Sequence, residues 1–309
     1  MSSVTATPVT YTPSVIAQQM ISNVNSDEAY QAGLQEQLAT GVSINSASDN
    51  PAGAAQVLAL GASIARSAQY QTNASDGVGW LSTGTSTLNS IINTLQSVQQ
   101  AAQGASGVAL TGGTNALQAI VGQVNSAANE ILQLANTTYD GQAIFAGTGN
   151  PGQAYDSTGT YVGGGSAPRR TVGPGTQITI GVTGPAVFGS GPTGLLGAGG
   201  VLAKLAQDLS TGTPASLTQA TTTDLQALGA ALDQVTTQAA TLGEQYQQAQ
   251  AFSAQATLAN TALQTQLSST DSTDIAKVTT ELNQAQNNFQ SGLWAISKLN
   301  QTSLVQYLG

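Results

Sequence analysis

In the last third of the chain, apolar and small side chains recur in alternating steps of three and four. The series runs Leu225, Leu228, Leu232, Val235, Ala239, Leu242, Tyr246, Ala249, Ser253, Ala256, Asn260 and Leu263. A stripe sustained over that many heptads predicts a coiled-coil helix, a rod about 60 Å long at a rise of ~1.5 Å per residue. A second stripe, Ile275, Val278, Leu282, Ala285, Phe289, Gly292, Ile296 and Leu299, predicts another helix towards the C-terminus. The first half of the chain carries matching patterns. Val15, Ile16, Ile21, Val24, Leu34 and Leu38 mark a helix near the N-terminus. Leu81, Leu88, Leu95 and Ala102 interleave with Gly84, Ile91, Val98 and Ala105 on a long one. A third helix has Leu117, Ile120, Val121, Val124, Ala128, Ile131 and Leu134 on one face.

Two polar interludes interrupt these runs. The first lies within LATGVSINSASDNPAGAAQ, residues 38–56. Gly41 follows a helical run as a C-terminal glycine does. Asn50 is a good N-cap, and Pro51 suits the first helical position. The second, SSTDSTD at 268–274, offers caps for a new helix in the same way. Between the helical halves, residues 141–200 hold 18 of the 35 glycines and five of the nine prolines. Short runs such as QAIFAG and QITIGVTG sit there between turn signals, and Asp140-Gly141 is a hairpin dipeptide.

The expected fold is mainly α: an elongated antiparallel helical bundle or coiled coil with a small β-rich insert between its two halves. The expected divisions are an inner N-terminal segment at 1–45, rod halves at 46–140 and 201–268, the insert at 141–200, and an inner C-terminal segment at 269–309. The two inner segments lie beyond the joints, where the bundle has no further layer to offer, and an isolated helix is marginal without packing. Their stripes are therefore expected to find partners in other chains and to stay mobile until they do. The expected assembly residues are Ile21, Val24, Leu34, Leu38, Ile275, Val278, Leu282, Phe289, Ile296 and Leu304.

Composition narrows the function. The 309 residues include no Cys and no His, which removes disulfides, thiol nucleophiles, imidazole bases and the usual zinc and iron ligand sets. Only 7% of residues are charged and the net charge is −9, which argues against nucleic acid as a partner. A surface with so little like-charge repulsion tolerates close packing against copies of itself. No apolar run reaches the roughly 18 residues of a membrane helix. MSSVTATPVTYTPS, with no basic and no apolar region, is not expected to be a Sec signal.

The chemical motifs are weak. GSGPTG at 189–194 fits the dinucleotide glycine pattern, but Pro192 lies inside it and no βαβ unit follows, so a glycine-rich loop is expected. DSTGTY at 156–161 lacks the regular oxygen ligands of a calcium loop and reads as a surface turn. Lys204, Lys277 and Lys298 fall on helix-patterned segments, and the carboxylates are scattered. Arg169-Arg170 reads as loop surface or as a contact with an acidic neighbour. Trp80 and Trp294 read as core, with a contact between subunits as the second reading for Trp294.

With these residues in view, the chain resembles bacterial flagellar proteins of the flagellin superfamily. LATGVSINSASDNPAGAAQ is similar to the superfamily's N-terminal signature, which joins an innermost helix to an outer helical layer. The likeness covers about 20–140 and 215–309. ILQLANTTYDGQAIFAGT, residues 131–148, and the ending NQTSLVQYLG resemble the hook-associated branch more than the filament-forming branch, while GVSIN is flagellin-like. The resemblance implies an extracellular axial protein, exported through the flagellar type III channel, with no cofactor and no catalysis. It implies as partners copies of itself, neighbouring axial proteins and an export chaperone, and as function a structural adaptor where hook meets filament. The filament subunit itself, and a secreted coiled-coil surface rod, are the alternatives.

Overall fold

The computed structural model describes residues 13–111, 113–150, 152–191 and 194–308; the side chains of 13–14, 106, 108–111, 114 and 299–308 lie outside that description. Helix α1 (Pro13–Thr40) is followed by α2 (Pro51–Thr111) and α3 (Gly113–Ala135). Strands β1 (Thr138–Tyr139), β2 (Gln142–Ala143), β3 (Arg169–Gly173) and β4 (Thr176–Thr179) come next. Then follow α4 (Gly184–Phe188), α5 (Val201–Thr211), α6 (Pro214–Gln219), a π-helical stretch (Ala220–Asp224), α7 (Leu225–Asp271) and α8 (Ile275–Leu308). The chain divides into two compact units, one of residues 1–64 with 261–309 and one of residues 65–260.

In the unit of residues 65–260, the heptad reading of α2 and α7 becomes packing. Ser67, Ala74, Leu81, Leu88, Leu95 and Ala102 are buried at seven-residue intervals along α2. On α7, Leu228, Val235, Leu242, Ala249 and Ala256 are buried at the same interval. The two helices meet antiparallel: the Ser67 hydroxyl donates to the Ala256 carbonyl at 3.1 Å, and a Cβ on Gly84 would lie 3.0 Å from Leu242. That hydroxyl bond satisfies the one polar member of the series, since a buried hydroxyl without a partner is costly. Leu117, Val124 and Ile131 of α3, with Leu202, Leu205 and Leu209 of α5, complete the same apolar core.

The insert contains strands, but short ones: two separate antiparallel hairpins, β1–β2 and β3–β4, plus an isolated bridge between Tyr155 and Tyr161. Asp140 (φ 49°) and Gly141 (φ 74°) both take positive φ, the pair of angles a two-residue type I′ turn requires. The 156–161 segment is a turn closed by its own acid. Asp156 Oδ1 accepts from the Thr158 hydroxyl at 2.6 Å and from the amides of Thr158 and Thr160, both at 2.9 Å; the hydroxyl first, and then the amides, hold the carboxyl below its ordinary pKa.

The insert is seated on α2 over residues 73–80, and this seat was not expected from the sequence. Asn73 Nδ2 donates to the Thr171 carbonyl at 2.8 Å. Arg170 Nε meets Asp76 Oδ2 at 2.7 Å, which corrects both readings of the arginine pair: Arg170 lies on a strand and its partner is within the chain. Arg169 donates to Thr179 across the same hairpin. Two glycines make room. A Cβ on Gly77 would stand 2.9 Å from Ile180 Cγ2, and one on Gly79 would overlap the Tyr139 hydroxyl. Trp80 is buried as expected, edge-on to Tyr139 with ring centroids 5.9 Å apart.

Asp224, the last residue of the π-helical stretch, is buried. Burial pushes the Asp224 carboxyl up to about 6, and Asp208 adds to the shift.

Replacing a helical glycine by alanine ordinarily stabilises a helix by about 0.5–1 kcal/mol. Gly104→Ala, with open space around it, should do so. Gly79→Ala should instead cost about 1–3 kcal/mol, because Tyr139 must leave its place against Trp80. Urea unfolding of both variants checks this; stabilisation by Gly79→Ala would refute the seat.

Candidate assembly surface on the terminal helices

The other unit is built around α1, α8 and the two polar joints. Helix α1 ends as the sequence predicts: Gly41 takes φ 72°, and its amide donates to the Gln37 carbonyl at 2.9 Å. At the far side of the joint, Asn50 Oδ1 caps α2 through the Gly53 amide at 2.9 Å. In the second joint Asp274 Oδ1 caps α8 through the Lys277 amide at 3.1 Å.

What the sequence did not show is that the joints bond to each other. Val42 and Ser272 form an antiparallel bridge. The Ser43 amide donates to the Asp271 carbonyl at 2.7 Å, and the Thr273 amide to the Gly41 carbonyl at 3.1 Å. Asp271 also receives the Ile44 amide on its side chain at 3.1 Å. The polar character of both interludes thus has a local cause. Backbone that has left a helix must place its N–H and C=O groups somewhere, and each joint supplies the other's partners.

Beyond the joints, α1 and α8 run antiparallel. Gln31 Nε2 donates to the Ala285 carbonyl at 3.1 Å, and Gly292 admits Val24 so closely that a Cβ there would stand 2.9 Å from its Cγ2. Leu34, Val278 and Ala285 are buried together, with Leu38 and Leu282 packed against them. The expectation that the terminal stripes lack a partner within the chain is therefore corrected for Val24, Leu34, Leu38, Val278 and Leu282. The two stripes are complementary, so they pack on each other.

The remaining expected residues are placed differently. Ile21 and Ile275 are 50% and 62% exposed. Phe289 and Ile296 are half-buried, and the Leu304 side chain lies outside the described residues. Trp294 is 65% exposed, which corrects its reading as core, and Lys298 Nζ stands 5.7 Å from the centre of its ring. Val15, Ile16, Tyr30 and Leu293 are also exposed on these two helices. Tyr30 and Leu293 were missed as surface residues, and for Trp294 the exposure leaves the second reading, a contact between subunits, as the one to test. For Leu293 and Trp294 the available signal was bulky apolar groups on α8 between the stripe positions Gly292 and Ile296.

Among the described residues no group of three His, Cys, Asp or Glu gathers as a metal site would require, and no helix is long and apolar enough to cross a membrane.

Comparison with known proteins bears on the same segments. The bacterial flagellin N-terminal helical region matches residues 13–150, and the bacterial flagellin C-terminal helical region matches residues 225–308. Flagellar hook-associated protein 3 of Escherichia coli K12 is 26% identical over 182 residues, covering 58% of this chain and 57% of that protein. Its counterpart from Salmonella typhimurium LT2 is 27% identical over 175 residues, covering 56% and 55%. The chain thus spans a little over half the length of these relatives. A flagellin from Salmonella muenchen is 32% identical over 126 residues, 40% of this chain and 24% of that one. Two solved structures share the fold. FlgL of Bacillus cereus has a TM-score of 0.55 at 22% identity, covering 68% of this chain and 99% of that one. A flagellar hook-associated protein from Vibrio parahaemolyticus has a TM-score of 0.62 at 20% identity, covering 72% and 100%.

Aspartate substitutions should separate the inward from the outward residues. Val278→Asp puts an unpaired carboxylate into the α1–α8 contact, at a cost of several kcal/mol, and should abolish hydrogen-exchange protection of both helices. Ile275→Asp and Trp294→Asp should leave that protection within a factor of about 3, since exposed substitutions stay within about 0.5 kcal/mol. Equal loss of protection in all three would show that the exposed side chains are part of the intramolecular core.

Proposed function

Because the chain belongs to the flagellin superfamily, with matches to both its N-terminal and its C-terminal helical regions, we propose that it is a structural adaptor of the bacterial flagellum at the hook–filament junction. The observation that carries this reading is the pairing of α1 with α8 across hydrogen-bonded joints, with Ile21, Ile275, Leu293 and Trp294 left exposed on that pair. Bulky apolar groups held out on rigid, intramolecularly stabilised helices are suited to bury against further copies of the chain. The apolar stripe residues Leu34, Leu38, Val278 and Leu282 then act by holding the two helices in register, and Phe289 and Ile296 extend the surface along α8.

In this reading residues 1–45 and 269–309 are the inner assembling segments, 46–140 and 201–268 the rod halves, and 141–200 an insert facing outward. The chain leaves the cell through the flagellar export channel, aided by a chaperone, and needs neither cofactor nor chemistry. Its partners are copies of itself and the axial proteins below and above. Hook-associated relatives match more of the chain than the flagellin does, which favours the junction. The higher identity of the flagellin segment keeps the filament as the second reading.

A filament subunit binds its own kind on both faces and extends without limit from a seed, whereas a junction subunit meets two different neighbours. Deleting the gene should leave hooks in place and release filament subunits unpolymerised into the medium. Purified chain added to filament fragments should form at most a short cap, and Trp294→Asp should reduce even that. Long filaments grown from the pure chain would establish the filament reading, and intact filaments on the deletion strain would rule out the junction.

A further inference from the structure

Three polar or charged side chains are buried among the described residues: Ser67, Thr87 and Asp224. Ser67 and Thr87 have local explanations, since each hydroxyl donates to a backbone carbonyl, that of Ala256 and that of Thr83. Asp224, which ends the π-helical stretch and is 5% exposed, has none. Asp208, Lys204 and Gln219 act on its carboxyl, yet Oδ2 is enclosed with no hydrogen-bond donor. A buried carboxylate oxygen in that condition is costly unless something donates to it. Such a group calls for a cause.

Asp224 also lines a cleft of about 350 Å³ within the 65–260 unit. Alanines make the space. Ala227, Ala230 and Ala231 line it from the start of α7, where their spacing of three and four puts them on one face and larger side chains would fill the volume. Phe188 of α4 adds an aromatic wall. Gln234, at the same cleft, donates to the Ala186 carbonyl at 2.8 Å and so ties α7 to α4. The volume suits a small ligand. Apolar walls and one polar group in need of a donor are the two parts such a site requires.

We propose that this cleft binds a small organic cation, a primary amine on a short apolar body, whose ammonium donates to Asp224 Oδ2 while the body lies against the alanines and Phe188. A hydrogen bond between two charged groups is stronger than a neutral one, so the ammonium gives selectivity and the apolar walls add burial. Lys204 and Asp208, one turn apart on α5, act on Asp224 with opposite signs, so the charge that a ligand meets is largely Asp224's own. The donor set does not suit a metal ion, because no group of three His, Cys, Asp or Glu gathers among the described residues. Gln219 and Thr223 are exposed side chains on the cleft, able to turn aside and admit a ligand to the enclosed oxygen.

The test uses the full chain near neutral pH, with n-butylamine as the probe. Butan-1-ol and tetramethylammonium are the controls, the first without the charge and the second without N–H donors. In an amide NMR titration butylamine should shift resonances of 219–234 and bind about tenfold more tightly than either control. Asp224→Asn, which keeps the shape and removes the charge, should bring butylamine to within about twofold of butanol. Ala230→Leu, at an exposed position, should fill the cleft and weaken butylamine about tenfold with little change in melting temperature. If Asp224→Asn fails to fold, Ala230→Leu and the wild-type titration still decide. Nα-acetyl-lysine amide carries the same ammonium on a protein side chain. Tighter binding of that compound than of butylamine assigns the cleft to a lysine of another protein, and the reverse assigns it to a free amine. Equal binding of butylamine and butanol, shifts confined to other residues, undiminished binding by Asp224→Asn, or no binding of butylamine at all overturns the site.

Discussion

Seven-residue spacing of buried side chains on two facing helices is the constraint on which the larger unit depends. An α-helix with 3.6 residues per turn keeps a seven-residue series on one side only by slight supercoiling, so two such series that meet stay in contact over many turns. Along α2 and α7 these positions are filled by Leu and Val in the middle of the pair, and by Ala and Ser towards the end where Ser67 and Ala74 meet Ala249 and Ala256. Ser67 shows how finely the approach is set. Its hydroxyl reaches the backbone carbonyl of Ala256, which a bulkier side chain on either helix would prevent. Helices α3 and α5 then cover the exposed side of this pair with leucine and isoleucine, and the core is closed.

That regularity also gives the irregular insert a fixed surface to rest on. The insert has little regular structure of its own: its strands are two to five residues long, and isolated hairpins of that size are marginal in water. It gains order by docking onto α2, where Gly77 and Gly79 leave notches for Ile180 and Tyr139. The Arg170–Asp76 pair at the edge of the seat has both side chains 32% exposed. A pair so open to water contributes about 0–1 kcal/mol, so its main effect is to fix the register of the β3–β4 hairpin, while apolar contacts hold it down.

The terminal unit solves a different problem. Two helices alone have little apolar surface to share, and here the shared part is short: Leu34, Leu38, Val278, Leu282 and Ala285. The polar joints supplement it. By bonding to each other they fix where α1 ends relative to where α8 begins, and Asp271 does this with both its backbone carbonyl and its carboxylate. The pair is thus aligned within the chain, and Ile21, Tyr30, Ile275, Leu293 and Trp294, which it does not use internally, remain on its surface.

The sequence by itself determined α1, α2, α3, α7 and α8, the two joints and their caps, and the hairpin at Asp140-Gly141, because each depends on local periodicity or on the backbone preferences of one or two residues. It determined the heptad faces of α2 and α7 for the same reason. It also marked the terminal stripes as important, yet it could not say which of their residues face inward. A stripe on one helix reads alike whether its partner is in the same chain or another, and only the antiparallel match of Val24 with Gly292 and of Leu34 with Val278 decided it. The exposure of Tyr30 and Leu293, the seat of the insert on Gly77 and Gly79, and the Arg170–Asp76 pair were likewise invisible. Each joins residues distant in sequence or depends on which neighbour fills a given space, and such pairings are fixed by three-dimensional packing, not by any local pattern along the chain.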